Sequence, residues 1–555
     1  MQRSLLSILL IAALVCSVIS CSNADKGGLA IPNDASFVVH INASSINSKV
    51  SWQEIQQTEW FKELYSQEND SLTRKLLDDP AHTGVDLKAD MAFFIKKQGR
   101  GGYSAFQGSV ADAAAFEAFN KKVHKGATLS KEGDIKIMKL SGGKGIMSWN
   151  NKRFIYVADA PGASIADGFS GRGSYSGPYS FPIDSLQHFG VQLFDLPQKS
   201  SLMNDDRFKA MLKEQGDIHF WANTSRYADM MGGALSMLKS LSVLFEGNVS
   251  ATTIHFENGK ISLKTKSYYN EEIRKLMDKY PPAQISDDII NRIPSQNVAA
   301  VFAMKYPPAG IKDIMKLLGV DGLVNGFLGE NGYSMDEFIK ANKGDMLFAI
   351  TDFSFGQREV TIPNPEGDPF TMKTNTPDAK FLFATSVNDK AAFEKMISII
   401  KEKVPEGALD MLKAGYQLND NWFAAGNSPE QLNAFMAGGN NKHAFTSRIS
   451  GKAFGAYIDV QKILQASKTA VSDSSSMAAM NASLNMWQDI VFTGGEQKQN
   501  FMAGEAEINL VDKSTNSLKQ LNSYIDVISA IARKKGHSYD AQTKLNVPMS
   551  TWASY

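Results

Sequence analysis

Ser109-Val110-Ala111-Asp112-Ala113-Ala114-Ala115-Phe116-Glu117 returns 277 residues later as Ser386-Val387-Asn388-Asp389-Lys390-Ala391-Ala392-Phe393-Glu394. Four further blocks return in the same order. Asp90-Met91-Ala92-Phe93-Phe94-Ile95 matches Asp345-Met346-Leu347-Phe348-Ala349-Ile350, and Ile31-Pro32 matches Ile293-Pro294 ahead of Val298-Ala299-Ala300-Val301-Phe302. Asn151-Lys152-Arg153-Phe154 pairs with Asp420-Asn421-Trp422-Phe423, and Ile218-His219-Phe220-Trp221-Ala222-Asn223 with Phe454-Gly455-Ala456-Tyr457-Ile458-Asp459. Chance supplies one or two such matches; five in register predict an internal duplication. The two homologous halves are expected at 30–283 and 284–535. Their seam is Tyr280-Pro281-Pro282-Ala283-Gln284, where paired prolines cannot continue a helix.

Within each half the pattern reads strand, helix, strand, strand, helix and tight hairpin, then a second strand–helix unit and long alternating strands. Ala35 to Asn42 is the first strand. A helix is expected from Ser51, where Ser51-Trp52-Gln53-Glu54 has capping-box spacing and Trp52, Ile55, Phe61 and Leu64 share a face. Ile254 to Tyr268 bends at Asn258-Gly259 as a hairpin, and Lys260 to Lys266 alternates apolar residues with lysines, which leaves one face wet. Hairpins with intervening helices predict an α+β fold with mainly antiparallel sheets and packed helices.

The flanks differ from the repeat. Residues 1–20 combine one positive charge at Arg3, an apolar run from Leu5 to about Val15 and a small residue at Ser20, which describes a secretory signal too short to span a bilayer. Val18-Ile19-Ser20-Cys21 resembles the lipobox of bacterial lipoproteins, with cleavage between Ser20 and Cys21 and acylation of Cys21; Cys16 competes poorly because branched Val15 precedes it. Residues 21–29 suit a polar tether, and 536–555 a polar tail. Cys16 and Cys21 are the chain's two cysteines, so removal of one and acylation of the other exclude thiol catalysis, cysteine metal sites and disulfides from the mature protein.

Basic and acidic residues number 58 each among 555 residues, so no basic field exists to attract nucleic acid. Hydrophobic content of 43% is that of packed globular protein, and the length calls for two or more cores.

The chain resembles a family of Bacteroides-type lipoproteins grouped as a domain of unknown function. The lipobox at Cys21, the opening Ile31-Pro32-Asn33-Asp34-Ala35-Ser36-Phe37-Val38-Val39-His40-Ile41-Asn42 and Ser201-Leu202-Met203-Asn204-Asp205-Asp206-Arg207-Phe208 carry the resemblance. It implies a two-membrane envelope and an outer-membrane anchor, with no catalytic residue to carry over. The single acid in Ser22-Asn23-Ala24-Asp25-Lys26 favours a periplasm-facing orientation over surface display.

Chemical motifs are sparse. The eight histidines fall singly, none at metal-ligand spacing, and His40, His219 and His255 lie in expected strands as half-buried structural residues. Ser141-Gly142-Gly143-Lys144-Gly145 lacks the hydroxyl and the earlier glycine of a phosphate loop. The Gly171–Gly177 loop lacks a nucleophile elbow. Asp78-Asp79, Asp205-Asp206 and Asp287-Asp288 flank helix ends, where carboxylates cap backbone N–H groups. Asp70-Ser71-Leu72 and Asp184-Ser185-Leu186 fit an Asp-Ser-aliphatic O-glycosylation pattern, making Ser71 and Ser185 candidate modification sites. A methionine-rich stretch from Met230 to Leu238 has a counterpart in Met477, Met480, Leu484 and Met486; it either closes each half's core or offers an adaptable apolar surface. Trp52, Trp149, Trp221 and Trp422 lie in regular elements, as core residues do.

These readings lead to a non-enzymatic envelope lipoprotein without catalytic residues, metal or cofactor, serving as a binding or scaffolding module for an envelope protein or apolar ligand. A surface glycan-binding accessory protein of a polysaccharide uptake system, and a hydrolase whose carboxylates converge only in the fold, are the alternatives.

Overall fold

The computed structural model describes residues 28–67, 71–99, 101–140, 145–160, 179–225, 243, 245–362, 370–403, 415–471, 473–498 and 500–534. The fold is α+β, with antiparallel sheets. The chain forms two compact units: residues 1–268 with 514–555, and residues 269–513.

In unit 1 the strands are β1 Phe37–Ile41, β2 Met91–Gln98, β3 Gly101–Ser109, β4 Thr128–Glu132, β5 Ile135–Lys139, β6 Gly145–Trp149, β7 Arg153–Asp159, β8 Ile218–Asn223, β9 Val249–Glu257 and β10 Lys260–Tyr268. They pair antiparallel in the order β4-β5-β6-β7-β3-β2-β1-β8-β9-β10. β1 can hold the centre because Phe37-Val38-Val39-His40-Ile41 is β-branched and aromatic almost throughout, suiting a strand paired on both edges. The β9–β10 hairpin turns where expected, at Gly259, whose φ of 69° is a left-handed conformation that glycine adopts without penalty.

In unit 2 the strands are β11 Val298–Lys305, β12 Asn342–Ile362, β13 Phe370–Val387, β14 Gly415–Leu418, β15 Trp422–Gly426, β16 Phe454–Ile458, β17 Trp487–Gln497 and β18 Met502–Leu510. Their antiparallel order is β14-β15-β13-β12-β11-β16-β17-β18. This is the order of unit 1 with β4 and β5 removed, β14 and β15 standing where β6 and β7 stand. The turn before β7 and the turn before β15 also share their chemistry. Asn150 Oδ1 accepts the N–H groups of Lys152 and Arg153 at 3.0 and 3.1 Å; Asn419 Oδ1 accepts those of Asn421 and Trp422 at 2.9 and 2.8 Å.

The helices of unit 1 are α1 Ala43–Lys49, α2 Trp52–Gln56, α3 Glu59–Gln67, α4 Ser71–Asp78, α5 Ala113–Val123, α6 Ile183–Gln192 and α7 Asp206–Lys213. The single helix expected from Ser51 is instead a piece of a three-helix run. Asn42 accepts from Ser45 N–H and starts α1 directly after β1, and the expected Ser51–Glu54 capping box starts α2. Thr58 then turns its hydroxyl onto the Ile55 carbonyl at 2.7 Å and separates α2 from α3. Trp52, Ile55 and Phe61 nevertheless share one buried cluster with Val50 and Leu77, and Leu64 packs against it.

Unit 2 contains α8 Glu271–Lys279, α9 Asp287–Asn291, α10 Pro308–Leu317, α11 Asp321–Glu330, α12 Met335–Ala341, α13 Lys390–Lys403, α14 Pro429–Ala437, α15 Thr446–Ile449, α16 Val460–Ser467 and α17 Ser474–Met486. The chain then returns to unit 1 with α18, Ser517–Lys534. Each unit thus closes with the helix that follows the other unit's last strand. In unit 2, Tyr280, which ends α8, donates to Asp313 of α10 at 2.8 Å. In unit 1, Asp526 and Asn522 of α18 accept from the backbone N–H and Nε1 of Trp60 at 3.0 and 3.3 Å. The compact units therefore divide at 268/269 and 513/514, whereas the sequence blocks place the seam at the paired prolines.

Candidate binding site

Unit 2 holds a cavity of about 380 Å³ where α9 and α14 meet the start of β12, the end of β13 and the Asn419–Trp422 turn. Its chemistry begins at Asp345. Lys305, opposite it in the β11–β12 ladder, reaches Oδ1 at 2.7 Å, and Ser386 Oγ donates to Oδ2 at 2.8 Å. The Asp345 N–H donates in turn to Ser386 Oγ at 3.1 Å, and Thr385 Oγ1 to the Asp345 carbonyl at 2.7 Å. The carboxylate, 11% exposed, is thus held by one cation and one hydroxyl.

Arg292 forms the opposite wall. Its Nε donates to Asp288 at 3.1 Å and Nη1 to the Phe435 carbonyl at 3.3 Å. The guanidinium carbon lies 4.9 Å from the Trp422 ring centre, and Trp422 meets Phe435 edge-on at 5.7 Å. Lys343, Asn419 and Asn421 complete the polar lining, and Met436 and Ala437 supply the apolar remainder. Two acids, Asp288 and Asp345, face two cations, Arg292 and Lys343, so the wall is electrically balanced.

The two carboxylates that converge here are each committed to a cationic partner. Trp422, expected from the sequence to be structural, lines the cavity. Trp52, Trp149 and Trp221 are core residues, at 9%, 0% and 1% exposure.

The other sequence candidates are dispersed. Ser20, Cys21, Met230 to Leu238, Gly171 to Gly177 and the 536–555 tail lie outside the described residues. Ser71 begins α4, and Ser185 is half-buried in the first turn of α6. In α17, Met486 is buried, while Met477, Met480 and Leu484 are half-buried. Two of the three aspartate pairs cap: Asp79 accepts from Ala81 N–H, and Asp205 from the N–H groups of Arg207 and Phe208; Asp287 and Asp288 lie inside the first turn of α9, which has no side-chain cap, and Asp288 takes Arg292 instead. Burial pushes the Asp205 carboxyl up, and the Arg207 guanidinium together with these N–H groups outweighs it and holds the group below the usual carboxylate range.

Two histidines taken singly from the sequence come together. His40 on β1 and His219 on β8 are ladder partners, with Nδ1 atoms 3.1 Å apart and both side chains about 1% exposed. Sequence spacing could not show this pair, because 179 residues separate the two positions. Among the described residues, no group of three or more His, Cys, Asp or Glu side chains is placed to hold a metal ion, and no helix is long and apolar enough to cross a membrane.

Residues 29–167 match a family described as a domain of unknown function (DUF4836). No curated protein matches the chain significantly. Among solved structures, the chain is similar to TP0453 in crystal forms I, IV and III, at TM-scores of 0.24, 0.23 and 0.22 and identities of 9%, 11% and 11%. These alignments cover 46%, 48% and 49% of this chain and 86%, 91% and 88% of the respective TP0453 chains.

Proposed function

We propose that the protein is a non-enzymatic binding module of the bacterial outer membrane, periplasm-facing and anchored through an acylated Cys21, and that the unit 2 cavity takes a small, neutral, hydroxyl-rich ligand such as a saccharide unit. The cavity lining supports this reading. A charged ligand would meet a like charge beside each opposite one. A neutral polyol meets donors and acceptors on every wall, with Trp422 among the lining residues. The sequence alone had suggested an envelope protein or an apolar ligand as partner; the polar walls favour the glycan-binding alternative.

The test applies the mature, full-length protein to an array of neutral and charged oligosaccharides. Neutral glycans should be retained, Trp422→Ala should abolish retention, and Lys343→Ala, at an exposed position, should weaken it in a protein of unchanged stability. Retention indifferent to both substitutions, or confined to charged glycans, would defeat the proposal. The anchor is checked in the same cells: Cys21→Ser should leave the membrane fraction.

A further inference from the structure

Helix α11, Asp321–Glu330, is at odds with the water around it. None of its ten residues is buried, and no side chain caps its N-terminus. Beside Gly322, Gly326 and Gly329, apart from the helix's own backbone, no atom lies within 4 Å of where a Cβ would stand. An isolated helix this short is marginal in water even in alanine-rich sequence, and glycine weakens it further. Such helices are normally held by burying an apolar face. α11 has the face and leaves it bare. Leu323 and Phe327 stand one turn apart at 71% and 61% exposure, the highest of the large apolar side chains among the described residues. Ile314 of the preceding helix, α10, adds a third at 42%.

Unit 1 shows the usual solution. Its helices between β1 and β2 bury Trp52, Ile55, Phe61, Leu76 and Leu77. In unit 2, α10–α12 fill the same interval, and α11 buries nothing. Between its two end carboxylates, Asp321 and Glu330, α11 carries no charge and one polar side chain, Asn325. With 3.6 residues per turn, Asn325 lies on the far side of the helix from Leu323 and Phe327.

We propose that α11 inserts Leu323 and Phe327 among the acyl chains of a phospholipid membrane, lying along its surface as a second foothold beside the lipid on Cys21. Asp321 and Glu330 then stay in the headgroup layer, as the polar parts of helices in the membrane interface do. The face is too small for the other apolar occupant, a second copy of the chain. A ten-residue helix is about 15 Å long. Three side chains fall well short of the about 800 Å² per partner that a stable protein interface buries. A membrane sets no such threshold once a tether holds the protein beside it, because the second contact is then intramolecular in effect.

The inference rests on the membrane anchor proposed above, and the test replaces that anchor. The mature chain from residue 21, with Cys21→Ser, contains no other cysteine, so a thiol introduced at one position takes an environment-sensitive fluorophore there alone. The chain is held on phosphatidylcholine vesicles by an N-terminal histidine tag and a nickel-chelating lipid. On the vesicles, emission from a label at Leu323→Cys should shift to shorter wavelength, and from one at Asn325→Cys it should not. Phe327→Ser in the Leu323→Cys chain should reduce the shift. All three positions are exposed, so the variants should unfold at the same denaturant concentration as the parent. No shift at position 323, an equal shift at 325, or a shift indifferent to Phe327→Ser would overturn the proposal. So would a shift at 323 that grows with protein concentration in the absence of vesicles, because it sets α11 against a second copy. Absence of a lipid on Cys21 in cells would defeat the anchor alone, since the tagged chain reads α11 without it.

Discussion

Asp90 and Asp345 occupy the same place in two sheets of matching strand order, immediately before or at the start of the second strand, and they are satisfied in opposite ways. In unit 1 the flanking strands carry His40 and His219 at inward positions, and the carboxylate is sealed against an imidazole. In unit 2 those positions are Ala303 and Gly455. The aspartate instead takes Lys305 and Ser386, and its surroundings open into the cavity. Asn42, where Lys305 has its counterpart, is spent on capping α1. The corresponding aspartates thus meet buried imidazoles in one unit and a lysine and a serine beside a cavity in the other.

The largest expected difference between the units concerns α18. Ending the chain at Lys513 should strip unit 1 of the helix whose Leu518 packs on the Trp52–Phe61 cluster and whose Asp526 and Asn522 hold Trp60. The loss should equal or exceed the about 3–5 kcal/mol of a large aromatic truncation. Hydrogen exchange reads it: amides of β1 and α1–α3 should lose protection while those of β11 and β12 keep it. Equal deprotection of both units would break the comparison.

Lys305→Met probes the aspartate itself and should cost unit 2 about 2 kcal/mol. Removal of one partner from a buried pair costs about 3–5 kcal/mol; the Lys305 side chain is 29% exposed and Ser386 remains, so the figure is discounted. Denaturant unfolding of the full chain measures it. A neutral outcome would show that Ser386 alone satisfies Asp345, and the contrast with unit 1 would then rest on the histidines only.

Much of the scaffold was legible from sequence because its signals are local. Alternating apolar residues marked the strands, Asn258-Gly259 marked a hairpin, and aspartates before helices marked caps. Two of the five repeated blocks fall on strands that hold matching places in the two strand orders, Met91–Ile95 with Met346–Ile350 and Ile218–Asn223 with Phe454–Ile458; the others fall mainly on turns, on helices or ahead of strands. The sites were not legible, for a physical reason. The buried cluster of Asp90, His40 and His219 joins residues 50 and 179 positions apart, and the cavity draws on five separate segments. Trp422 was read as structural, and it does pack against the unit 2 core, but a strand pattern does not show that the same ring also borders a cavity. The break between α2 and α3 was missed because the hydroxyl of one threonine decides it.

The smallest expected effect sharpens the comparison through pH. Unit 2 has its own buried histidine, His443, 7% exposed, whose Nε2–H donates to the Ile293 carbonyl at 3.1 Å while its ring stacks on Phe445 at 5.1 Å. Burial pushes this imidazole below the ordinary histidine value; the carbonyl opposes the shift, and Lys462 adds to it. The folded state therefore keeps His443 neutral where an unfolded chain would already be protonated. Stability is complete above about pH 6.5 and falls as the pH drops below it, by at most about 1.4 kcal/mol per unit. His443→Gln preserves a donor for the carbonyl and removes the titration, so it should flatten the acid limb of unit 2 alone. Hydrogen exchange below about pH 6.5 checks it: unit 2 amides should lose protection in the unaltered protein and keep it in His443→Gln, and an unchanged acid limb in the variant would break the assignment.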